Sequence, residues 1–318
     1  MSETKNGRVL EGKGFQPKFE MGYLAPKYWF DWILIGSLGL CVLLPRRLAL
    51  WIGARLGDSF YRLNPKRRRI ADINFKLCFP DLSASDRANL VRRHFRVYGQ
   101  SVIDLGLIRW ASEARLRRLV HVRGEQAFVK LLEHGDPVML ITPHAVGMDF
   151  GGVMLSRVRP TISMMKPLNS PLLDWFIARC RTRYGATLIL RDQGLRLLIQ
   201  GLKQGQLCYH MPDEDFGAKH SVFVSFFGVP AATITTVGRM AAITGAKVVP
   251  CFTRLVEDNG DYEVVVQPAL SNFPTGDRVV DAKRMNEALE ELIKIAPEQY
   301  MWTLRWFKTR PDGAPAPY

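Results

Sequence analysis

From Pro137 onward, short apolar runs alternate with stretches of helical period, and this rhythm constrains the fold more than any other feature of the chain. The apolar runs are PVMLITP, PTISMM, ATLIL, QLCYHM, FVSFFG, KVVPCF and YEVVVQ. Between and after them, helices are expected from about Met148, from Ser170 to Arg183, from Gly194 to Lys203, from Ala231 to Thr244 and from Asp277 to Ile295. Parallel strands need crossovers of this length, and the crossovers cover the sheet. The pattern therefore predicts an α/β fold, with a largely parallel or mixed central sheet flanked by helices.

The 44 Lys and Arg against 30 Asp and Glu are unevenly placed. Residues 1–130 hold 24 basic and 11 acidic side chains, and residues 131–318 hold 20 and 19. Such a basic N-terminal part suits an anionic partner, whether nucleic acid, a phospholipid surface or an acidic protein. No helix-turn-helix, RNP-type or zinc signature accompanies the charge, so nucleic acid is not expected. Five cysteines are scattered without a CxxC pair or a His/Cys cluster, which predicts reduced thiols and neither a disulfide framework nor a metal centre.

Between Tyr28 and Leu44, YWFDWILIGSLGLCVLL carries one charge, Asp31. Seventeen residues are at the lower limit for crossing ~30 Å of hydrocarbon. Tyr28, Trp29 and Trp32 mark one end and Pro45-Arg46-Arg47 the other. A membrane-spanning anchor is the favoured expectation, with an in-plane helix as its rival and a buried helix third. More Lys and Arg follow the run than precede it, which puts the remainder of the chain on the cytoplasmic side. Next, Leu48, Trp51, Ile52, Leu56, Phe60 and Leu63 form an amphipathic stripe suited either to headgroups or to packing on the main domain. The run Lys66 to Arg69 is closer to an anionic-lipid patch than to a nucleic-acid one. Residues 66–130 read as several short helices, one of them capped by Ser83 with Asp86 three residues on. The organisation is thus a polar segment over 1–27, an anchor over 28–45 and one large domain over 46–318. Within that domain, a basic helical part occupies 46–130 and an α/β part 131–318.

The strand PVMLITP ends at His144, and Asp149 follows five residues later. Carboxyl ends of strands are where α/β sheets place active sites. If His144 lies in the strand-to-helix turn and Asp149 in the first helical turn, with Gly147 bending the chain, the carboxylate can orient the imidazole as a general base. His-x4-Asp is a weak signal by itself. No GxSxG elbow, P-loop or GxGxxG follows a strand, so neither a serine nucleophile nor a nucleotide cofactor is indicated. Cys208 reads as a buried strand residue.

PHAVGMDF resembles the HxxxxD block of the glycerolipid acyltransferases. The stretch MPDEDFGAKHSVFVSFFGVPAATITTVGRMAAITGAKVVP resembles, more specifically, the late acyltransferases of lipid A biosynthesis, the lauroyl and myristoyl transferases. NPKRRRIADINFKLCFPDLS, RCRTRYG with Arg191-Asp192, and PEQYMWTLRWFKTRPDGAP extend the similarity from about Tyr28 to the C-terminus in the expected order. Pro143 before the histidine, and FFGVPA in place of an FPEGT-like block, favour the lipid A branch.

The resemblance implies acyl transfer from acyl carrier protein to a hydroxyl of a Kdo-lipid A precursor at the bacterial inner membrane. His144 and Asp149 would be catalytic, with no cofactor beyond the carrier protein's thioester and no metal. It also implies phosphate or oxyanion contacts for Arg181, Arg183 and Arg191, whose alternative is salt bridging with Asp174, Asp192 or the Asp213-Glu214-Asp215 cluster. Phe226, Phe227 and Gly228 are expected along an acyl groove, with core packing as the alternative. The acidic triplet reads as a structural or substrate-shaping loop. His210 is the second histidine to test. An acyltransferase for another glycolipid or lysophospholipid, and a non-enzymatic membrane-binding protein, are the competing readings.

Overall fold

The computed structural model describes residues 14–318. Among these residues eleven α-helices and nine strands follow in chain order. The N-terminal part contains α1 (Trp29–Leu43), α2 (Arg46–Leu63), α3 (Pro65–Cys78), α4 (Ala84–Trp110), α5 (Glu113–Leu119), β1 (Val120–Arg123) and α6 (Glu125–Glu133). Next come β2 (Val138–Ile141), α7 (Met148–Val158), β3 (Thr161–Met165), α8 (Pro171–Arg181), β4 (Thr187–Leu190), α9 (Arg196–Lys203) and β5 (Leu207–His210). The chain ends with the hairpin β6 (Ser221–Phe226) and β7 (Val229–Ile234), then α10 (Thr236–Thr244), β8 (Lys247–Leu255), β9 (Tyr262–Val266) and α11 (Arg278–Ile295).

Seven strands form the central sheet in the order β1-β9-β8-β2-β5-β3-β4, and every pairing is parallel except β8 with β9. The expected α/β architecture is therefore present. Every residue of β2 is buried, as a strand covered on both faces requires. Val138 and Leu140 face a core shared with α4, α7 and α8, while Met139 and Ile141 face the one built with α3, α9, α10 and α11.

Two local expectations change. Residues 66–130 hold several helices as expected, but 84–110 form one of 27 residues, and its Ser83 cap accepts from Asp86 N at 3.1 Å. The segment expected to begin a helix at Ala231 first completes a β-hairpin, and α10 starts at Thr236. The hairpin turn is Phe227-Gly228, with φ of 51° and 76°. Two successive positive φ values are what a tight two-residue connection demands.

The expected membrane-spanning anchor is overturned. Among the described residues no helix is long and apolar enough to cross a membrane. With 15 residues, α1 reaches only ~22 Å at ~1.5 Å per residue. It lies along α4 instead. Ile35, Leu38 and Val42 are buried there, which stabilises the docking by about 1.5–3 kcal/mol per side chain. Gly106 admits the Leu38 backbone, since a Cβ would stand 2.3 Å from its carbonyl oxygen.

Of the two uses open to the α2 stripe, packing on the main domain does not hold for most of it. Its buried face consists of Ala49, Gly53, Ala54, Gly57 and Asp58, whereas Leu48, Trp51, Leu56 and Leu63 are exposed. A Cβ on Gly57 would meet Phe95 O at 2.1 Å, so backbone contact with α4 outweighs burial of the larger side chains. The buried Asp58 carboxylate is held by Arg92 and Arg55.

Candidate active site

Strands β2 and β5 are adjacent and parallel, with Ile141 opposite His210. Each continues past that register through a proline into a polar residue, Thr142-Pro143-His144 and Met211-Pro212-Asp213. Equal offsets from a shared register bring His144 and Asp213 together at the carboxyl edge of the sheet. The chain leaves β2 toward β3 and leaves β5 toward β8, in opposite directions across the sheet, and such a switch point opens a crevice.

His144 Nδ1 lies 2.6 Å from Asp213 Oδ1, and the His144 amide donates to Asp213 Oδ2 at 2.8 Å. The carboxylate thus grips both the ring and its backbone. Burial alone would lower the His144 pKa, but the charge and hydrogen bond of Asp213, aided by Glu214 and opposed by Arg191, leave it raised above 6.5. For Asp213, burial pushes upward and the His144 contacts prevail, leaving it lowered.

The segment after α11 braces the histidine. Met301 N donates to His144 O at 2.8 Å, Val146 N donates to Gln299 O, and the Gln299 amide group bonds both N and O of Leu255 at 2.7 Å. The imidazole packs on Trp306, which stacks on Tyr300 at 4.8 Å. The buried Tyr300 hydroxyl has no aligned hydrogen-bond partner, and the neighbouring Asp213 charge adds to the effect of burial in raising its pKa well above 10.

Asp149 takes the expected position in the first turn of α7, after Gly147 at its N-cap, but its carboxylate turns elsewhere. Arg181, the last residue of α8, donates from Nε at 2.7 Å and from Nη2 at 3.4 Å. The reason is a matter of sides. Trp306 and the His144 ring belong with the core under α9–α11, whereas Asp149 shares a narrow, mainly apolar slot with Met148, Val153, Tyr209, Met211 and Arg181 next to α7 and α8. Thus His144 and Asp149 are neighbours in sequence with separate partners, and Asp213 supplies the hydrogen bond that sequence spacing assigned to Asp149.

The remaining expected site residues divide. Arg183 donates to the carbonyls of Ile108 and Ala111 at 2.6 and 2.7 Å, closing the end of α4. Arg191 pairs with Glu214, lies 4.8 Å from the Phe216 ring centroid, and lines a pocket with His210. Phe226 is core, packed with Tyr300 and Phe307. Phe227 packs on Phe79 and Trp302, and Gly228 completes the hairpin turn. These three residues line neither the slot nor the pocket. The acidic triplet fans out, with Asp213 to His144, Glu214 to Arg191, and Asp215 to the amides of Gly217 and Thr309. Burial pushes the Cys208 and Cys251 thiols up to about 12, so neither offers a thiolate near neutral pH.

Comparison with known proteins decides the family. The model of the bacterial lipid A biosynthesis acyltransferases matches residues 16–309. The chain belongs to this family. It is 33% identical to a lipid A biosynthesis acyltransferase of Haemophilus influenzae over 98% of both chains. It is likewise 33% identical to the lipid A biosynthesis lauroyltransferase of Escherichia coli over 95% of this chain and 99% of that one. The lipid A biosynthesis myristoyltransferase of the same organism is 30% identical over 95% and 94%. Acyl transfer in lipid A biosynthesis is the function this membership supports.

Proposed function

We propose that the chain transfers a fatty acyl group from acyl carrier protein to the hydroxyl of a 3-hydroxyacyl chain on a Kdo-lipid A precursor, with His144 as general base. The observation that carries the reading is the His144–Asp213 pair at the switch point. With Asp213 ionised, the imidazole proton sits on Nδ1, and Nε2 is left to accept the substrate hydroxyl proton. The oxygen attacks the thioester carbon, the C–S bond breaks, and the imidazolium returns its proton to the departing thiolate. Asp213 steadies the imidazolium in between, in keeping with the raised His144 pKa. Arg181, held by Asp149, is the cation assigned to the oxyanion. No covalent enzyme intermediate is invoked, because among the described residues no activated nucleophile accompanies His144.

The second part of the proposal is monotopic attachment to the inner membrane. The side of α1 away from α4 exposes Trp29, Phe30 (77%), Ile33 (69%), Leu40 and Leu43, and Met21 and Leu24 extend it. A contiguous apolar face of this kind suits insertion to the depth of the acyl boundary, with the basic side chains of the N-terminal part on anionic headgroups.

The deciding experiment incubates membranes containing the protein with labelled acyl carrier protein and a Kdo-lipid A precursor, and follows the gain of one acyl chain by mass. His144→Ala is expected to abolish the gain. Acylation of lysophospholipid with none of the lipid A precursor would replace the proposed acceptor.

A further inference from the structure

Next to Arg191 an open pocket of ≈ 580 Å³ lies between the end of β5, the start of β6 and the start of α10. Arg191 is neutralised by Glu214. Lys219, Arg239 and Arg278, also on the lining, have no carboxylate at ion-pair distance among the described residues. Three unpaired cations facing one cavity repel each other unless an anion joins them.

The wall beneath them is equally incomplete. His210, Ser221 and Thr236 line the same pocket, and just behind its surface their Nε2, Oγ and Oγ1 atoms are buried without a hydrogen-bond partner. His210 is only 7% exposed, and burial pushes its pKa down to about 4, so it is a neutral imidazole able to donate from Nε2. Thr236 opens α10, whose N-cap Thr235 makes no side-chain cap bond and whose first turn holds no acidic residue, and first-turn amides have no partner within their own helix. Orphaned buried polar atoms are costly in a folded protein, and three in one concave wall under three free cations describe a site built for a group rich in acceptor oxygens.

We propose that this pocket is a phosphate-binding subsite beside the catalytic histidine, with His210, Ser221 and Thr236 bonding the phosphate oxygens and Lys219, Arg239 and Arg278 balancing their charge. It rests on the acyltransfer reading only for the source of the phosphate. One source is a sugar phosphate of the glycolipid acceptor, and the other is the phosphodiester of the carrier protein's prosthetic arm. Bound there, the phosphate would hold the reacting group in reach of His144.

The test uses the full chain with two variants, the exposed Arg239→Gln/Arg278→Gln pair and the near-isosteric Thr236→Val. Inorganic phosphate is titrated into each by calorimetry. Wild type is expected to bind saturably, and the double variant to bind ~10-fold or more weakly. In turnover, the KM for the phosphate-bearing substrate is expected to rise ~10-fold or more while kcat stays within ~2-fold, since the subsite binds ground and transition states alike. A dephosphorylated acceptor that removes the difference between wild type and variant assigns the acceptor as the source. A rise confined to the acyl carrier protein, absent with a thioester lacking the phosphodiester, assigns the donor. Unchanged phosphate affinity together with unchanged KM for both substrates overturns the subsite. Wild type that binds phosphate yet acylates no lipid A precursor keeps the subsite and overturns the acyltransfer reading instead.

Discussion

Two aspartates stand near the carboxyl edge of the sheet, and their surroundings give them different work. Asp213 has a side chain only 2% exposed, and both its oxygens are committed to His144. Asp149 is 20% exposed and grips the guanidinium of Arg181. A carboxylate on an imidazole changes what the imidazole does with a proton, whereas one on a guanidinium, which stays charged at any relevant pH, can only orient it. The difference teaches that the partner, not the motif, assigns the role. In the proposed scheme Asp213 tunes a base, and Asp149 positions a cation.

The comparison rests first on His144, and His144→Ala is expected to lower kcat by ~10³-fold or more with the fold retained. Residual activity within ~10-fold of wild type would remove the base from the scheme. Asp213→Asn comes next, at about 100-fold in kcat, accompanied by a shift in pH dependence. The neutral imidazole is the active form, so activity rises with pH through the raised His144 value. Without the Asp213 charge, burial outweighs what remains of the opposing effects, and the acidic limb of kcat moves to lower pH. Asp149→Asn is expected to cost ~10-fold and to leave that limb in place, because Arg181 loses its anchor while His144 keeps its partner. If Asp149→Asn moves the limb and Asp213→Asn does not, the roles are reversed.

Thermal melts sharpen the same contrast. With its folded pKa raised, His144 contributes stability that is fully present below about pH 6.5 and is lost as pH rises through the folded value. In Asp213→Asn the Asp213 charge that raises the pKa is gone and burial is the largest remaining cause, so the folded pKa falls and the trend reverses, with this group's penalty on Tm present at low pH and relieved as pH rises toward about 6.5. Asp149→Asn should preserve the wild-type trend. The smallest effect on chemistry is expected from Phe30→Glu/Ile33→Glu, which sits far from either aspartate. Vesicle binding should fall ~10-fold or more, while turnover in detergent micelles stays within ~2-fold. A large loss in micelles would tie the α1 face to the site itself.

Much of the sheet could be read from the chain. Seven of the nine strands, six of them in the central sheet, were visible as apolar runs because strands covered on both faces need continuous hydrophobic side chains, and His144 stood out by ending one of them. The two missed strands had weaker signals. β1 is a four-residue strand, Val-His-Val-Arg, and β7 carries Pro230 and Ala231-Ala232, which read as the start of the helix that follows. At the site, Asp213 was hidden within an acidic triplet whose members point to three different partners. The repeated strand-Pro-His and strand-Pro-Asp endings were the one local hint.

Apolar rhythm, the strand-end histidine and the family-bearing blocks are properties of order along the chain, and the sequence alone determined them, together with the α/β class. What lies opposite what is a property of packing. Only the tertiary structure decided that β5 pairs with β2 in the register that hands Asp213 to His144. Likewise it laid the 15-residue α1 along α4 instead of across a bilayer, and gathered three unpaired cations into a pocket within the half of the chain whose charges nearly cancel. Net charge and residue spacing add along a line, while fields and hydrogen bonds act across space. Residues 69 positions apart therefore form the histidine–carboxylate pair that residues five apart were expected to make.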